Sequence, residues 1–545
     1  MYFTLAVSAA TAESCAALTD RALAVDPSVM PVPGPAEVAW RSPDGRAALL
    51  RWGSAGGATA GTSHAGTIWA GAPGRDGGPV GARTSVTRVD PVYLTEVPGA
   101  VIVADRATWA AWTASRLDDH DPRQLCALLS PGFPLGSVTP FAGVHAVAPS
   151  TSLQLLNGAV SRRSVPLAPG GATAGGATAG GAPGSRGARE VAEALVAAVA
   201  PLRDAGEPVE LSLTGGKDSR LIAAALVKAG VPVVAKTHGF DDHPDVVVAA
   251  EIARRLGIEH IAATPTAPGQ RVDVLGRIRA TVLVADGMLS AFENVGRPDP
   301  AAAPALTAGG HGGELLRGGY AETAGRAAAA GGIRRVLSPA RRAARSAELL
   351  RRLTTKHLGL IRRGPATAYV ASLAPWTASL ARHPLQALDD FYLVNRAGRW
   401  SAAARQAYLL RERLAQPLFD DRVVLAARAV PLAERVSGAL TAAVLAELSP
   451  ALAGVPLAGK PDPARAPFDW RRQYGETVAT FLRGYILDLG LTGGLFDMVS
   501  QPAAEKLLTP PHADRATVWA LATAACLVSG DYRKAREPAS QLAVT

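Results

Sequence analysis

The sequence predicts an α/β protein with a β-rich N-terminal part, a parallel-sheet part and a helical C-terminal part. Short apolar runs separated by turn residues fill the first 165 residues. From Glu190 onwards helical and strand patterns alternate, and after Ser338 the patterns are mostly helical. With 545 residues the chain is long enough for about two or three domains, each with its own core.

Residues 1–165 are predicted to form the first domain. Gly, Pro and Asp residues separate its apolar runs, as is typical of strands joined by turns. Residues 166–188 consist largely of Gly, Ala and Thr, with too little side-chain volume to pack, so a linker is predicted there. Residues 189–545 then form the second domain. The clearest strand-like runs of the first domain lie at residues 47–52, 67–70 and 99–104.

The second domain begins with alternating elements, which predict a parallel sheet with right-handed crossovers. A helix is expected to reach about Arg203 before the first strand. The elements that follow are predicted as a strand at 208–214, a helix at 219–229, a strand at 231–236, a helix at 244–256 and a strand at 258–263.

A glycine turn joins the first strand of this domain to the next helix, in the string TGGKDS at residues 214–219. Two adjacent glycines let the backbone pass close to a ligand, and the helix start presents unpaired N–H groups. Such a turn suits a phosphate or pyrophosphate. Asp218 is placed to hold Mg²⁺, and the Ser219 hydroxyl can add a hydrogen bond. The turn follows a parallel strand, where open α/β sheets bind ligands.

The string TGGKDS resembles the SGGxDS pyrophosphate loop of the N-type ATP pyrophosphatases, the asparagine synthetase superfamily. That group includes asparagine synthetases, β-lactam synthetases and lasso-peptide cyclases. The resemblance implies that ATP and Mg²⁺ bind here and that ATP is cleaved between its α and β phosphates, with AMP passed to a carboxylate or carbonyl. The pyrophosphate contacts would come from Thr214, Gly215, Gly216, Lys217, Asp218 and Ser219.

The resemblance also implies a fold. The first domain would be a degenerate Ntn-hydrolase-like, glutamine amidotransferase-like domain. The second would be an adenine-nucleotide α-hydrolase (Rossmann-like) domain. The segment Thr237–His260 resembles the family's second strand and helix, which implies that His238 and Gly239 line the adenosine pocket. Asp245, near the start of that helix, interacts favourably with the helix dipole, and a purely capping role is the alternative to a functional one.

A second glycine-rich segment, GGHGGELLRGGY at residues 309–320, resembles the family's GDGADELFGGY. Laid end to end without gaps, Glu314 falls on the Asp that helps to hold Mg²⁺ and pyrophosphate, and Gly312 is taken as a nucleotide contact. Asp218 and Glu314 would then share one cation, since hard cations prefer oxygen ligands. The alternative is coincidence, because glycine-rich loops recur in a chain with 56 glycines.

His311 lies where asparagine synthetases have Asp and β-lactam-forming relatives have a Tyr that takes part in base catalysis. A neutral imidazole there can deprotonate an incoming amine at physiological pH. The alternative is a loop histidine without a catalytic role.

The family's catalytic lysine has no clear counterpart. The segment 389–427 resembles the family's helix and RVPFLD segment, and the lysine is expected soon after it. Arg435 occupies the approximate position, and Lys460 is the next lysine downstream. Both are candidates for stabilising charge on the phosphates and the acyl-adenylate. A guanidinium cannot donate a proton as an ammonium can, so the late catalytic step depends on which of them acts.

Glutamine hydrolysis is not expected. The family's glutaminase domain uses Cys at position 2 as its nucleophile, and this chain has Tyr2. No Asn precedes Asn157, so the oxyanion-hole Asn is missing as well. Cys15 is interpreted as a small buried residue. The amine must therefore come from elsewhere.

Positive charge is concentrated in residues 326–363, which contain ten Arg and one Lys but only one acidic residue, Glu348. The segment accounts for the whole net charge of +10 and is predicted as a basic helical insertion. One interpretation is a solvated helix with apolar residues on one face; the other is a docking surface for an acidic partner. A nucleic-acid partner is not expected, because no aromatic residues accompany these charges.

No apolar run reaches the length of a membrane span, and the N-terminus has no basic region of the kind found in signal peptides. The three cysteines are far apart. The cytoplasm is therefore the expected location, with no membrane partner.

The sequence predicts an ATP-dependent amide ligase that adenylates a carboxylate and passes the acyl group to an amine of a small molecule or peptide. Intramolecular ring closure and ammonia-dependent asparagine synthesis both remain open. A homologue that binds nucleotide without turning it over, and an adenylating enzyme that acts on nucleic acid, are the alternatives from other classes.

Overall fold

The structure is a computed structural model. It describes residues 2–31, 35–53, 67–70, 80–164, 185–263, 271–293, 295, 305–329, 339–410, 413–459, 470–509, 514–537 and 542–543.

The described residues among the first 164 include two antiparallel sheets, as the alternation of apolar runs and turns predicts. Their strands are β1 (Tyr2–Ala9), β2 (Ala36–Arg41), β3 (Ala47–Gly53), β4 (Thr67–Trp69), β5 (Val80–Arg83), β6 (Tyr93–Val97), β7 (Ala100–Ala104), β8 (Val144–Ala146), β9 (Thr151–Leu156) and β10 (Ala159–Ser164). One sheet has the order β2-β3-β1-β7-β6-β8 and the other β10-β9-β5-β4. The helices of this part are α1 (Ala12–Leu23), α2 (Ala107–Thr113) and α3 (Pro122–Leu129), with a 3-10 turn at Pro27–Val29.

Strand β1 is buried on both faces, because the six-stranded sheet is the middle layer of this part. Ala6 packs in the cluster between the two sheets, together with Val101 and Leu153. Leu5 and Val7 belong to the core on the opposite face. This two-sided burial explains the continuous apolar run at the start of the chain.

The second part contains a five-stranded parallel sheet of order β13-β12-β11-β15-β16, as predicted. Its strands are β11 (Val209–Ser212), β12 (Val233–His238), β13 (Glu259–Ala263), β15 (Leu306–Gly309) and β16 (Arg413–Ala415). The short strands β14 (Arg271–Val272) and β17 (Leu542–Ala543) pair antiparallel with each other. The predicted class, an α/β protein with a β-rich N-terminal part and a parallel-sheet part, is confirmed.

Helices cover the sheet and continue to the end of the described chain. They are α4 (Ser185–Val199), α5 (Lys217–Lys228), α6 (Pro244–Leu256), α7 (Val274–Val284), α8 (Tyr320–Ala329), α9 (Pro339–Thr355), α10 (Arg363–Ser372), α11 (Ala374–Arg382), α12 (Pro384–Phe391), α13 (Ala402–Tyr408), α14 (Asp421–Ala429), α15 (Leu432–Ser437), α16 (Ala439–Leu448), α17 (Trp470–Gln473), α18 (Glu476–Thr492), α19 (Gln501–Leu507) and α20 (Arg515–Val528). A π-helix spans Tyr392–Ser401. Short 3-10 turns lie at Ala200–Ala205, Ala291–Glu293, Gly313–Arg317, Leu358–Leu360, Pro417–Phe419, Pro450–Leu452, Leu495–Asp497 and Asp531–Lys534.

Several predicted boundaries move. Strand β11 spans 209–212 instead of 208–214, and β12 spans 233–238 instead of 231–236. Helix α4 begins at Ser185, inside the predicted linker, of which residues 166–184 lie outside the described residues. Helix α5 begins at Lys217, two residues before the predicted start, because Gly216 already serves as its N-cap. Helix α6 spans 244–256, as predicted; His243 is its N-cap, Pro244 its first residue and Gly257 its C-cap.

The basic segment is helical where the structure describes it, in α8, α9 and the turn that follows. Leu350 is buried on the inner face of α9. On the outer face, Glu348 accepts hydrogen bonds from both Arg351 and Arg352. None of the helices in the described part of the chain has the length and hydropathy needed to cross a bilayer.

Buried arginines join the N-terminal sheets to the rest of the chain. The fully buried Arg88 donates to the carbonyl oxygens of Val394 and Gly398, which lie in the π-helix. Arg106 donates to Asp286 at 2.5 Å, and the side chains of both are wholly buried. The Asp286 carboxylate also accepts from the Ala107 amide at 2.9 Å. The two parts are therefore held together by ionic and polar contacts that water does not reach.

The substitution Asp286→Ala tests this junction. It leaves the Arg106 guanidinium buried without its counterion, so we expect the free energy of unfolding to fall by about 3–5 kcal/mol. Urea denaturation followed by circular dichroism measures the change. The matched control is Asp118→Ala, since Asp118 pairs with Arg533 but its side chain is 80% exposed. That pair is expected to contribute less than about 1 kcal/mol, and an equal loss in both variants would contradict the role of Asp286.

Candidate active site

The strand order of the parallel sheet reverses beside β11. From β11 the chain moves outward to β12 and β13, and then returns to place β15 on the other side of β11. The loops after β11 and β15 therefore leave in opposite directions and open a crevice at the carboxyl ends of these strands. Open α/β sheets bind ligands at such a switch point. The two glycine-rich segments singled out in the sequence, residues 214–219 and 309–320, are these two loops.

The first loop is closed by hydroxyl groups. The Thr214 amide donates to Ser219 Oγ at 3.0 Å, and the Ser219 hydroxyl donates to the Thr214 carbonyl oxygen at 3.1 Å. Gly216, the N-cap of α5, donates its amide to Thr214 Oγ1 at 3.2 Å. Lys217 and Asp218 form the first turn of that helix. The positive end of the α5 dipole therefore points into the crevice.

Arg220 binds the carbonyl oxygens of this loop, a contact that was not predicted from the sequence. Its guanidinium donates to the carbonyl oxygens of Gly215 and Gly216, each at 2.9 Å. It also donates to Val455 and Pro456, at 2.9 and 3.1 Å. The available signal was an arginine directly before the apolar run LIAAAL of this helix. The hydrogen bonds of Arg220 fix the loop and a distant segment of the chain against each other.

That distant segment leads to Lys460. The Ala458 amide donates to the Gly215 carbonyl oxygen at 3.1 Å. Lys460 itself lies outside the described residues, two positions further along the chain. The described segment that contacts Gly215 ends at residue 459, directly before Lys460 in the sequence.

Asp245 is more than a helix-capping residue. Its Oδ1 accepts a hydrogen bond from the Gly215 amide at 2.9 Å. His243 acts as the N-cap of α6, with Nδ1 accepting from the Asp245 amide at 3.2 Å. Asp245 thus links α6 to the phosphate loop, and a functional role beyond this contact stays a prediction.

His238 and Gly239 lie at the same edge of the sheet. His238 ends β12, the neighbour of β11, and its side chain is exposed. Gly239 follows it and donates its amide to the Ala263 carbonyl oxygen at 3.1 Å. Both residues therefore lie at the carboxyl end of the strand next to β11, and the adenosine contact stays a prediction.

The second loop packs directly on the first turn of α5. A Cβ atom added to Gly313 would lie 2.0 Å from Cγ of Asp218, and one added to Gly310 would lie 2.6 Å from the Ser219 amide nitrogen. Only glycine permits so close an approach. Gly312 is buried beside the Phe419 ring, whereas His311 is exposed on the turn.

Asp218 and Glu314 share one electrostatic environment. Burial raises the pKa of Asp218, the hydrogen bonds and charge of Arg317 oppose that shift, and the negative charge of Glu314 adds to it. Tyr392 donates its hydroxyl to Glu314 Oε2 at 3.0 Å and fixes the direction of that carboxylate. Burial, followed by the charge of Glu314, raises the pKa of Tyr392 well above its usual value, so the phenol keeps its proton.

Arg317 is the residue of this site that sequence reasoning missed. It donates from Nη1 to Asp218 Oδ1 and from Nη2 to Oδ2, the latter at 3.1 Å. Its Nε donates to Glu322 Oε2 at 2.9 Å. The sequence offered one indication of it: Arg317 stands in the second motif at the position where the family's GDGADELFGGY has Phe.

Arg435 takes a structural place, in contrast to the predicted contact with phosphates. It is wholly buried and donates to Asp389 Oδ2 at 2.7 Å. Its remaining bonds go to the carbonyl oxygens of Val430 and Leu315, each at 3.3 Å. Leu315 follows Glu314, so Arg435 braces the turn that carries the acidic residue. A guanidinium held this way is not available to a ligand.

A family model described as asparagine synthase matches residues 190–449. This region is an asparagine synthase domain. The family is one of ATP-using carbon–nitrogen ligases, so the resemblance seen in the sequence is confirmed and an ATP-using enzyme is supported. A search of curated proteins found no match to the chain. The matched region contains both glycine loops and Arg435, and it ends shortly before the segment that contacts Gly215.

The donor set of this asparagine synthase domain fits Mg²⁺. Asp218 and Glu314 offer carboxylate oxygens from two separate loops, and Mg²⁺ is usually held by one or two carboxylates together with substrate phosphates. Within the described ranges, no group of three or more His, Cys, Asp or Glu side chains could hold a metal ion without such phosphates.

The substitution Gly313→Ala tests the contact between the loops. The added methyl group would displace the Asp218 side chain, and overpacking of this kind costs about 1–3 kcal/mol. We expect ATP affinity, measured by isothermal titration calorimetry, to fall by about tenfold. The control is Gly364→Ala, at an exposed helical position where an added Cβ meets nothing within 4 Å. If both variants bind ATP as tightly as the wild type, the loops do not form one site.

Proposed function

We propose that this protein is an ATP-dependent amide ligase that adenylates a carboxylate and transfers the acyl group to an amine. One observation carries the proposal. Two loops at the switch point of the sheet bring Asp218, Glu314 and the N-terminus of α5 to one crevice. Carboxylates beside a helix N-terminus suit a metal-bound nucleotide.

ATP binds with its β and γ phosphates on Gly215–Ser219 in this proposal. The first-turn amides of α5 and the helix dipole favour the negative charge. The adenine lies toward His238 and Gly239. This orientation is supported by their position, because His238 ends β12, the strand next to β11, and Gly239 follows it. Lys217 adds a positive charge to the first turn of the helix.

Asp218 and Glu314 would hold Mg²⁺, which neutralises charge on the phosphates when bound. Around them the chain supplies orientation. Tyr392 fixes Glu314 through its hydroxyl, and Arg435 supports the turn that carries Glu314. The first turn of α5 carries Asp218, and the second loop packs against it. Preorganised groups of this kind accelerate reactions in which charge develops on a leaving group.

The proposed reaction has two steps. A carboxylate oxygen of the substrate attacks the α-phosphorus, the bond from that phosphorus to the bridging oxygen breaks, and pyrophosphate leaves. The amine then attacks the acyl carbon, the bond to AMP breaks, and the amine loses one proton. His311 is the candidate base for that proton, which is consistent with its exposed position on the second loop.

Lys460 is the better candidate than Arg435 for the cation that stabilises the phosphates and the acyl-adenylate. The buried contacts of Arg435 commit it to structure. Ala458, two residues before Lys460, is hydrogen-bonded to the phosphate loop. A lysine ammonium is a compact point charge with three donors, which suits the stabilisation of phosphate oxygens.

The proposal includes no glutaminase step. Both cysteines of the N-terminal part are fully buried, and burial raises the pKa of Cys126 to about 12 and that of Cys15 above its usual value. A buried thiol is a poor nucleophile. The amine is then ammonia or a group of the substrate, and in the second case the enzyme closes a ring within a small molecule or peptide.

A second candidate is a homologue that binds nucleotide without turning it over. The observation that favours it is the ion pair of Arg317 with Asp218, which places a cation on a carboxylate proposed to hold the metal.

An ATP–pyrophosphate exchange assay with a panel of carboxylic acids tests the ligase. We expect exchange that depends on one class of acid and falls by about 10²–10³-fold in Asp218→Ala and Glu314→Ala. Lys460→Met is expected to lose exchange while ATP affinity changes little. The matched control is Asp488→Ala, at an exposed position of α18, which should leave exchange unchanged.

Nucleotide binding without exchange for every acid would favour the non-catalytic homologue. AMP release that depends on RNA would favour an enzyme acting on nucleic acid. Either result would contradict the proposal that this protein is an amide ligase.

A further inference from the structure

Arg317 is the most heavily engaged charged group of the crevice. Nη1 and Nη2 donate to the two oxygens of Asp218, and Nε donates to Glu322. The Arg317 side chain is only 9% exposed. A guanidinium held by three N–H groups to two carboxylates has a fixed plane and position.

Three carboxylates act electrostatically at this cluster. They are Asp218, Glu314 and Glu322, and Arg317 contacts the first and the last of them. Carboxylates in a partly desolvated site are stabilised by positive charge close to them. The crevice therefore attracts further positive charge, which a divalent cation supplies.

A divalent cation competes with Arg317 for Asp218. Both oxygens of that carboxylate accept hydrogen bonds from the guanidinium, and two cations close to one carboxylate repel each other. Metal binding is therefore unfavourable until Arg317 finds another anionic partner. A nucleotide phosphate on the first turn of α5 is such a partner, because Asp218 belongs to that turn.

We propose that Arg317 holds Asp218 in the nucleotide-free protein and turns to a phosphate oxygen when nucleotide binds, so that the divalent cation binds Asp218 only when nucleotide is present. This inference rests on the proposed nucleotide site, although not on the identity of the acyl acceptor. The bond from Nε to Glu322 keeps the side chain in the crevice while Nη1 and Nη2 change partners. The planar fork of arginine matches phosphate oxygens as well as it matches a carboxylate.

Binding of Mn²⁺ to the full-length protein without nucleotide tests this role. Free Mn²⁺ is measured by electron paramagnetic resonance in a titration of the wild type, Arg317→Gln and Arg317→Lys. We expect Arg317→Gln to bind Mn²⁺ at least about tenfold more tightly than the wild type, because the competing cation is gone. Arg317→Lys keeps the charge and should remain weak.

Binding of ATP in excess EDTA gives the complementary result. Without metal, Arg317→Gln should bind ATP at least about tenfold more weakly than the wild type, since a phosphate partner is lost. The matched control is Arg382→Gln, at an exposed position of α11, with both affinities unchanged. Mn²⁺ binding by Arg317→Gln that is as weak as in the wild type would overturn the proposal, and so would an unchanged affinity for ATP in EDTA.

Asp218→Asn keeps the inference testable if Arg317→Gln does not fold. This change removes the charge that holds Arg317, so ATP in EDTA should bind more tightly than to the wild type, while Mn²⁺ binding is lost. Weaker binding of ATP in EDTA would overturn the role of Arg317. Failure of the exchange assay with every acid would instead affect the ligase proposal and leave these binding results in place.

Discussion

The site depends on the close contact between the second glycine loop and the first turn of α5. Gly310 and Gly313 approach Ser219 and Asp218 to distances that leave no room for a Cβ atom. This contact places Asp218 and Glu314, which are far apart in sequence, within one electrostatic environment. The reversal of strand order beside β11 supplies the crevice, and the glycines let its two walls meet.

Buried arginines support this contact from outside the crevice. Arg220 fixes the carbonyl side of the phosphate loop, and Arg435 fixes the turn after Glu314. Further from the site, Arg88 and Arg106 join the N-terminal sheets to the helices beside it. Each guanidinium joins segments that are distant in sequence, because its several donors reach carbonyl oxygens or carboxylates in different directions. These contacts therefore help to position the acidic side chains.

The sequence predicts those features of the fold and site that depend on local signals. Helix α6 is bounded by residues that begin and end helices, and TGGKDS identifies the phosphate loop from its own letters. The distant partners of three arginines could not be predicted, because only the tertiary fold brings them near: Val455 for Arg220, Asp218 for Arg317 and Asp389 for Arg435. Arg435 shows the consequence: position in the sequence suggested a phosphate contact, whereas burial beside Asp389 makes it structural.

Combining Gly313→Ala with Asp218→Gly gives the most direct test of the contact on which the site depends. All three nearest atoms to a Cβ at position 313 belong to Asp218, so removing that side chain removes the clash. The measured quantity is the Kd for ATP with Mg²⁺. We expect Gly313→Ala to weaken ATP binding by about tenfold in the wild type but by less than about twofold in the Asp218→Gly background. The reason is that the effects of substitutions at two residues in contact are not additive. An equal loss in both backgrounds would contradict it.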